Sequence, residues 1–115
     1  MSSKSGTGSE YVKVAKVSEV NEGSLKRIDL DGDVVVLTNV GGEYYAIGGI
    51  CHHEEWDLSE GMLEGHTLVC AGHGAEWDLK TGTGKYDEPL EPEPLYGVKI
   101  EGQDILITRQ PVKNK

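Results

Sequence analysis

Two short segments hold the chemistry of this chain. Cys51-His52-His53 and Cys70-Ala71-Gly72-His73 contain both cysteines and three of the four histidines, with sixteen residues between them. Written as spacing, this is C-x-H, a gap, then C-x-x-H. Two thiolates with two imidazoles form a ligand set for zinc or for iron–sulfur chemistry. A structural zinc ion takes all four ligands at one tetrahedral centre, usually from knuckles spaced C-x₂₋₄-C and H-x₃₋₅-H. Here each segment offers one sulfur and one nitrogen, a distribution natural for two metals, one taking the thiolates and the other the imidazoles.

Neighbouring residues read more plainly. His52 is a bystander by spacing, and His66 opens the strand before Cys70 as a surface residue. Met62 reads as a gap-filler rather than a ligand, and Trp56 and Trp77 as packing over the site. Glu54, Glu55, Asp57, Glu60 and Glu64 form a solvated acidic face, and such a face can steer a basic partner. Gly82-Thr83-Gly84 is a turn signal, too short to cradle a phosphate.

The elements that must position these segments are strands. Tyr11-Val12-Lys13-Val14 alternates, and Asn21-Glu22-Gly23 reads as a turn. Leu25, Ile28 and Leu30 lead into Asp31-Gly32, a two-residue hairpin signal, and Val34 to Leu37 returns. Gly41-Gly42 marks a second hairpin before Tyr44 to Ile47. The middle, about 48–84, is expected to be a loop-built site rather than a second core, with Met62-Leu63 paired to Leu68-Val69 as a short hairpin. Gly48, Gly49, Gly72 and Gly74 suit the positive-φ turns of ligand loops. A loop bearing Pro89, Pro92 and Pro94 follows, then strands Tyr96 to Ile100 and Ile105 to Thr108 joined around Gly102. No segment keeps a helical period. The expected fold is all-β, a small antiparallel sandwich or barrel with a loop-built subdomain. Residues 1–10 and 110–115 are read as polar tails, leaving a domain of 11–109.

Composition excludes several classes. The 115 residues suit one domain, with an aliphatic core since Phe is absent and aromatics make up 6%. Eleven Lys and Arg against twenty Asp and Glu give −9, which disfavours nucleic acid and anionic membranes. No run approaches the roughly 18 apolar residues of a membrane span. Residues 1–10 lack a secretory apolar stretch, so the expected compartment is the cytoplasm. Two cysteines in such a chain read as ligands rather than a disulfide.

Together, Cys51-His52-His53, Leu58-Ser59-Glu60-Gly61, Cys70 to Asp78 and Thr81-Gly82 resemble the Rieske-type [2Fe–2S] ferredoxins. The resemblance implies one [2Fe–2S] cluster, with Cys51 and Cys70 on the inner iron and His53 and His73 on the outer. It implies a small antiparallel β fold with the cluster at its tip, flanked by a third loop for which Pro89 to Pro94 is the match. The implied function is soluble one-electron transfer between a reductase and an oxygenase or other redox enzyme, by a monomer that is not itself an enzyme. A zinc-bound β module is the alternative.

Departures from the family pattern bear on the potential. The extra cysteine that high-potential members carry in each loop is absent, and Ala71 stands where a proline is common. Ala75 and Trp77 stand where those members place a serine and a tyrosine that hydrogen-bond toward the cluster sulfurs. Fewer donors leave the reduced, more negative cluster less stabilised, and the acidic surroundings act in the same direction. The expected midpoint lies near the lower end of the roughly −150 to +300 mV range of such centres, falling at alkaline pH as the outward nitrogens of the ligand imidazoles lose protons. Protein-film voltammetry tests this: a midpoint above about +200 mV would contradict it.

Overall fold

A run of four apolar residues, Val34-Val35-Val36-Leu37, is too continuous for a strand with one wet face. It lies in the middle of a sheet that separates two cores. The computed structural model describes residues 10–30, 32–50, 57–71, 74–86 and 89–114. In it Asp33–Val40 (β3) is flanked by Leu25–Leu30 (β2) and Glu43–Gly48 (β4), and Leu95–Tyr96 (β10) pairs with β4 at the far edge. All these pairings are antiparallel. The Leu30↔Asp33 and Val40↔Glu43 registers bear out both expected hairpins. Gly41 and Gly42 have φ of 61° and 94°, the left-handed pair that a tight hairpin of matching twist requires.

One face of this sheet packs on a three-stranded sheet. Tyr11–Lys16 (β1) and Val98–Glu101 (β11) flank Asp104–Thr108 (β12), with Tyr11 opposite Thr108 and Glu101 opposite Asp104. Val35, Leu37, Ala46 and Tyr96 meet Ala15, Ile105 and Ile107 there. The expected strand from Tyr96 to Ile100 is in fact two strands in two sheets, broken at Gly97. Gly97 donates its N–H to Thr108 Oγ1 (3.0 Å) and accepts from the Thr108 N–H (3.0 Å). A Cβ at that glycine would press on Thr108 Cγ2 and the Tyr11 hydroxyl, at 3.0 and 3.2 Å.

The opposite face corrects the expectation of a coreless middle. Met62–Glu64 (β5), Thr67–Val69 (β6), Glu76–Asp78 (β7), Gly84–Lys85 (β8) and Pro89–Leu90 (β9) form a five-stranded antiparallel meander. The Met62↔Val69 and Leu63↔Leu68 registers bear out the expected hairpin. Leu68, Trp77 and Leu79 bury against Val36 and Ile47, the alternate residues of β3 and β4, to make a second core. β5, β6, β7 and β9 each contribute one inward side chain and β8 only Gly84, so no periodic window reveals it. Met62, expected to fill a gap, is 59% exposed on the outer face of β5. The C-terminal residues return to this side: Leu95 exchanges backbone hydrogen bonds with Val112 and Lys113.

The tightest contact in the second core is between strands. Trp77 is fully buried, and a Cβ at Gly84 would be driven into its six-membered ring. Gly84→Ala is therefore expected to cost about 1–3 kcal/mol of stability, the usual penalty of overpacking. An unchanged urea midpoint would contradict this packing.

Candidate metal centre

The first expected ligand segment leaves the end of β4 through a closed neck. The Gly48 N–H donates to the Pro94 carbonyl (2.8 Å) and that of Gly49 to the Val34 carbonyl (2.7 Å). The Leu58 N–H then donates back to the Gly49 carbonyl (2.7 Å), and Ile50 bridges Asp57. Residues 51–56, with Cys51, His52, His53, Glu54, Glu55 and Trp56, lie outside the described residues. The two neck glycines serve close approach and not positive φ: a Cβ at Gly48 would meet Glu93 Oε1 and the Pro94 ring at 2.7–2.8 Å.

Asp57 secures the far side of this neck. Its Oδ1 accepts from the Ser59 N–H (2.9 Å) and hydroxyl (2.6 Å), capping the 3₁₀ turn Leu58–Glu60. Its Oδ2 accepts from Arg27 of β2 at 2.6 Å, while Arg27 Nε donates to Asp29 at 3.1 Å. Burial alone would push the Asp57 carboxyl up; the Ser59 hydrogen bonds and the Arg27 hydrogen bond and charge outweigh it and hold the carboxyl below its ordinary 3.8. Asp29 first, then Asp57, raises the Arg27 guanidinium. Asp57 is thus a structural anchor and not part of a solvated face, whereas Glu60 and Glu64 are exposed as expected.

The second segment leaves β6 directly into Cys70. Its N–H donates to the Ala75 carbonyl (2.8 Å) and its carbonyl accepts from the Gly74 N–H (2.9 Å), so Cys70 is tied to Gly74 and Ala75 just before β7. Gly74 has φ of 78°, the one of the four expected loop glycines described with a left-handed backbone, while Gly72 and His73 lie outside the described residues. With both backbone groups satisfied, Cys70 has its thiol left for chemistry. The residue is 2% exposed, in no disulfide, and shares the second core with Leu58 at the exit of the first loop. Ala71 and Gly74 beside it are exposed, so the loop has a buried sulfur side and a solvent side.

A third loop borders the first. Gly82 accepts from the Glu93 N–H (2.8 Å), and Asn114 Nδ2 donates to the carbonyls of Thr81 (2.6 Å) and Glu93 (3.2 Å). Glu93 is 1% exposed. Its carboxylate lies against the Gly48 neck, and burial together with the Asp33 and Glu93 charges pushes the Tyr96 phenol up. Nothing in Pro92-Glu93-Pro94 marks this acid as buried; a charged residue between two prolines reads as loop surface.

Cys70 is the one expected ligand among the described residues, and no three His, Cys, Asp or Glu side chains converge among them. A buried, unbridged thiol heading a tight loop fits a metal-bound thiolate, the inward ligand of a Rieske-type cluster. His66 is half covered: it stands edge-on to Tyr45 (5.5 Å between centroids), with Nε2 3.9 Å from Glu43 Oε1.

Comparison with known proteins agrees with this geometry. The family description "Rieske [2Fe-2S] domain" matches residues 10–99. The biphenyl dioxygenase ferredoxin subunit of Pseudomonas sp. (strain KKS102) is 37% identical over 98 residues, covering 84% of this chain and 90% of the relative. The 3-phenylpropionate/cinnamic acid dioxygenase ferredoxin subunit of Escherichia coli (strain K12) is 44% identical over 92 residues, covering 79% of this chain and 86% of the relative. Among solved structures, the ferredoxin of carbazole 1,9a-dioxygenase from Nocardioides aromaticivorans IC177 superposes with a TM-score of 0.81 at 28% identity, covering 87% of this chain and 98% of that one.

Asp57→Ala removes the cap and the partner of Arg27 together, and should cost about 1 kcal/mol at neutral pH. Because the folded carboxyl titrates below its ordinary 3.8, the contribution is complete above that value and is lost as pH falls through the lower, folded one. Thermal melts of the two proteins should converge only in strong acid. A stability gap that closes near neutrality, or one that persists through the acid limb, would contradict the assignment.

Proposed function

The chain belongs to the Rieske [2Fe–2S] family, and from that membership we propose that it is a ferredoxin, shuttling single electrons between protein partners. In this reading Cys51 and Cys70 hold one iron and His53 and His73 the other. Bound there, the cluster supplies a centre that accepts and returns one electron, with the imidazole-held iron as the one reduced. The chain's own task is to hold that centre near solvent while keeping its sulfur side dry. The single observation that carries the reading is Cys70, buried at the head of a loop whose outer residues Ala71 and Gly74 are exposed.

The relatives' names as dioxygenase ferredoxin components support an oxygenase as acceptor; in this reading the donor is a reductase. Exposed Glu60, Glu64 and Glu76 beside the loops, on a chain of −9, suit a basic docking face on such partners. No helix among the described residues is long and apolar enough to cross a membrane. We read the protein as a cytoplasmic monomer with a cluster domain that begins at 11, onto which residues 112–114 of the expected C-terminal tail are fastened by hydrogen bonds. His52 and the acidic side chains have no part in ligation.

Anaerobically purified protein is expected to contain two irons and two labile sulfides per chain and, after dithionite reduction, to give an EPR signal from one unpaired spin. His73→Ala should abolish that signal and His52→Ala should leave it intact. One zinc without a signal, or equal loss in both variants, would refute the assignment.

A further inference from the structure

Glu93 is 1% exposed and is the one buried carboxylate among the described residues. Its neighbours Glu91 and Pro92 are exposed, and a residue that precedes a proline is confined to extended backbone. Three hydrogen bonds then fix that backbone. The Glu93 N–H donates to the Gly82 carbonyl (2.8 Å), and the Glu93 carbonyl accepts from Asn114 Nδ2 (3.2 Å). The next carbonyl, that of Pro94, accepts from the Gly48 N–H (2.8 Å). The side chain so directed lies on the base of the first loop, where a Cβ at Gly48 would meet Glu93 Oε1 at 2.7 Å.

Burying a carboxylate is costly, and a loop that needed only packing there would be served by an aliphatic side chain. The charge therefore has a use. Its field is felt inside the fold: after burial itself and the charge of Asp33, the Glu93 charge pushes the Tyr96 phenol up. Cys51 follows Gly48 by three residues, a length of chain that reaches at most about 11 Å. Over that distance in a protein interior, one charge shifts an equilibrium that creates a second by about tenfold.

We propose that the Glu93 carboxylate is a built-in negative charge that lowers the reduction potential of the cluster held by the first loop. This rests on the ferredoxin reading and deepens it. Reduction adds negative charge to the centre, and a fixed carboxylate behind the loop opposes that addition. Exposed acids are screened by water and salt, so this one charge outweighs its surface neighbours on a chain of −9. Gly48 has a part as well, since a side chain there would displace the carboxylate from the neck.

The test is protein-film voltammetry at neutral pH. Glu93→Gln should raise the equilibrium constant for reduction about tenfold, a rise of about 59 mV for one electron. Glu93→Asp, which keeps the charge, and Glu91→Gln, which removes an exposed one, should each move the midpoint by less than half as much. The gap between wild type and Glu93→Gln should survive high salt. A Glu93→Gln midpoint equal to or below wild type, an equal rise in Glu93→Asp or Glu91→Gln, or a gap that closes in salt would each overturn the proposal while leaving the ferredoxin reading in place. So would failure of both Glu93→Gln and Glu93→Met to hold a cluster, because the side chain would then be structural. Wild-type protein that binds no iron would overturn the ferredoxin reading itself, and this proposal with it.

Discussion

Everything in this structure depends on closing two short loops at their bases. A ligand on an open loop would sample many positions, and ordering each backbone residue costs about 1–2 kcal/mol. The chain limits that cost by bringing each loop's ends together before the ligands are reached. Gly49 and Leu58 are joined across the first loop, and Ile50 bridges Asp57. Cys70 and Ala75 are joined across the second. Short loops closed by hydrogen bonds leave little entropy to be lost when a metal centre binds.

The closures need something rigid behind them, and the middle sheet supplies it. β3 places Val35 and Leu37 in one core and Val36 in the other, and β4 divides Ala46 and Ile47 in the same way. A single strand thus couples the three-stranded base to the five-stranded meander that carries Cys70. The first loop is fastened to the same wall twice more, by Gly49 on the Val34 carbonyl and by Arg27 of β2 on Asp57. Arg27 is half exposed, so its pair with Asp57 is partly screened by solvent. The capping of Ser59 is the firmer part of that anchor.

Much of this was legible from the residues. Local signals with a direct mechanism were reliable: Gly41-Gly42 has the two left-handed residues its hairpin needs, and the spacing of Met62-Leu63 and Leu68-Val69 gives their register. The candidate ligand motif stood out because cysteine and histidine are rare in this chain and clustered; of its four residues, Cys70 is the one among the described residues. The misses are non-local. The second core was invisible because its strands are two or three residues long and half its lining is the reverse face of β3 and β4. Gly97 gave no sign of dividing one apparent strand between two sheets, since the division depends on Thr108 from a strand the chain reaches later. Arg27 and Asp57 stand thirty residues apart with no pattern linking them. Met62 was misread for the opposite reason, an apolar side chain whose face depends on where the meander packs.

The central claim is an asymmetric pair of irons, one held by sulfur from inside the fold and one held by nitrogen at its surface. Mössbauer spectroscopy of ⁵⁷Fe-labelled, dithionite-reduced protein tests it directly. The account predicts two inequivalent iron sites in equal amounts, a ferric one with sulfur ligation and a ferrous one whose parameters report nitrogen ligation. A pair with all-sulfur ligation at both irons, or a single mononuclear iron, would contradict it.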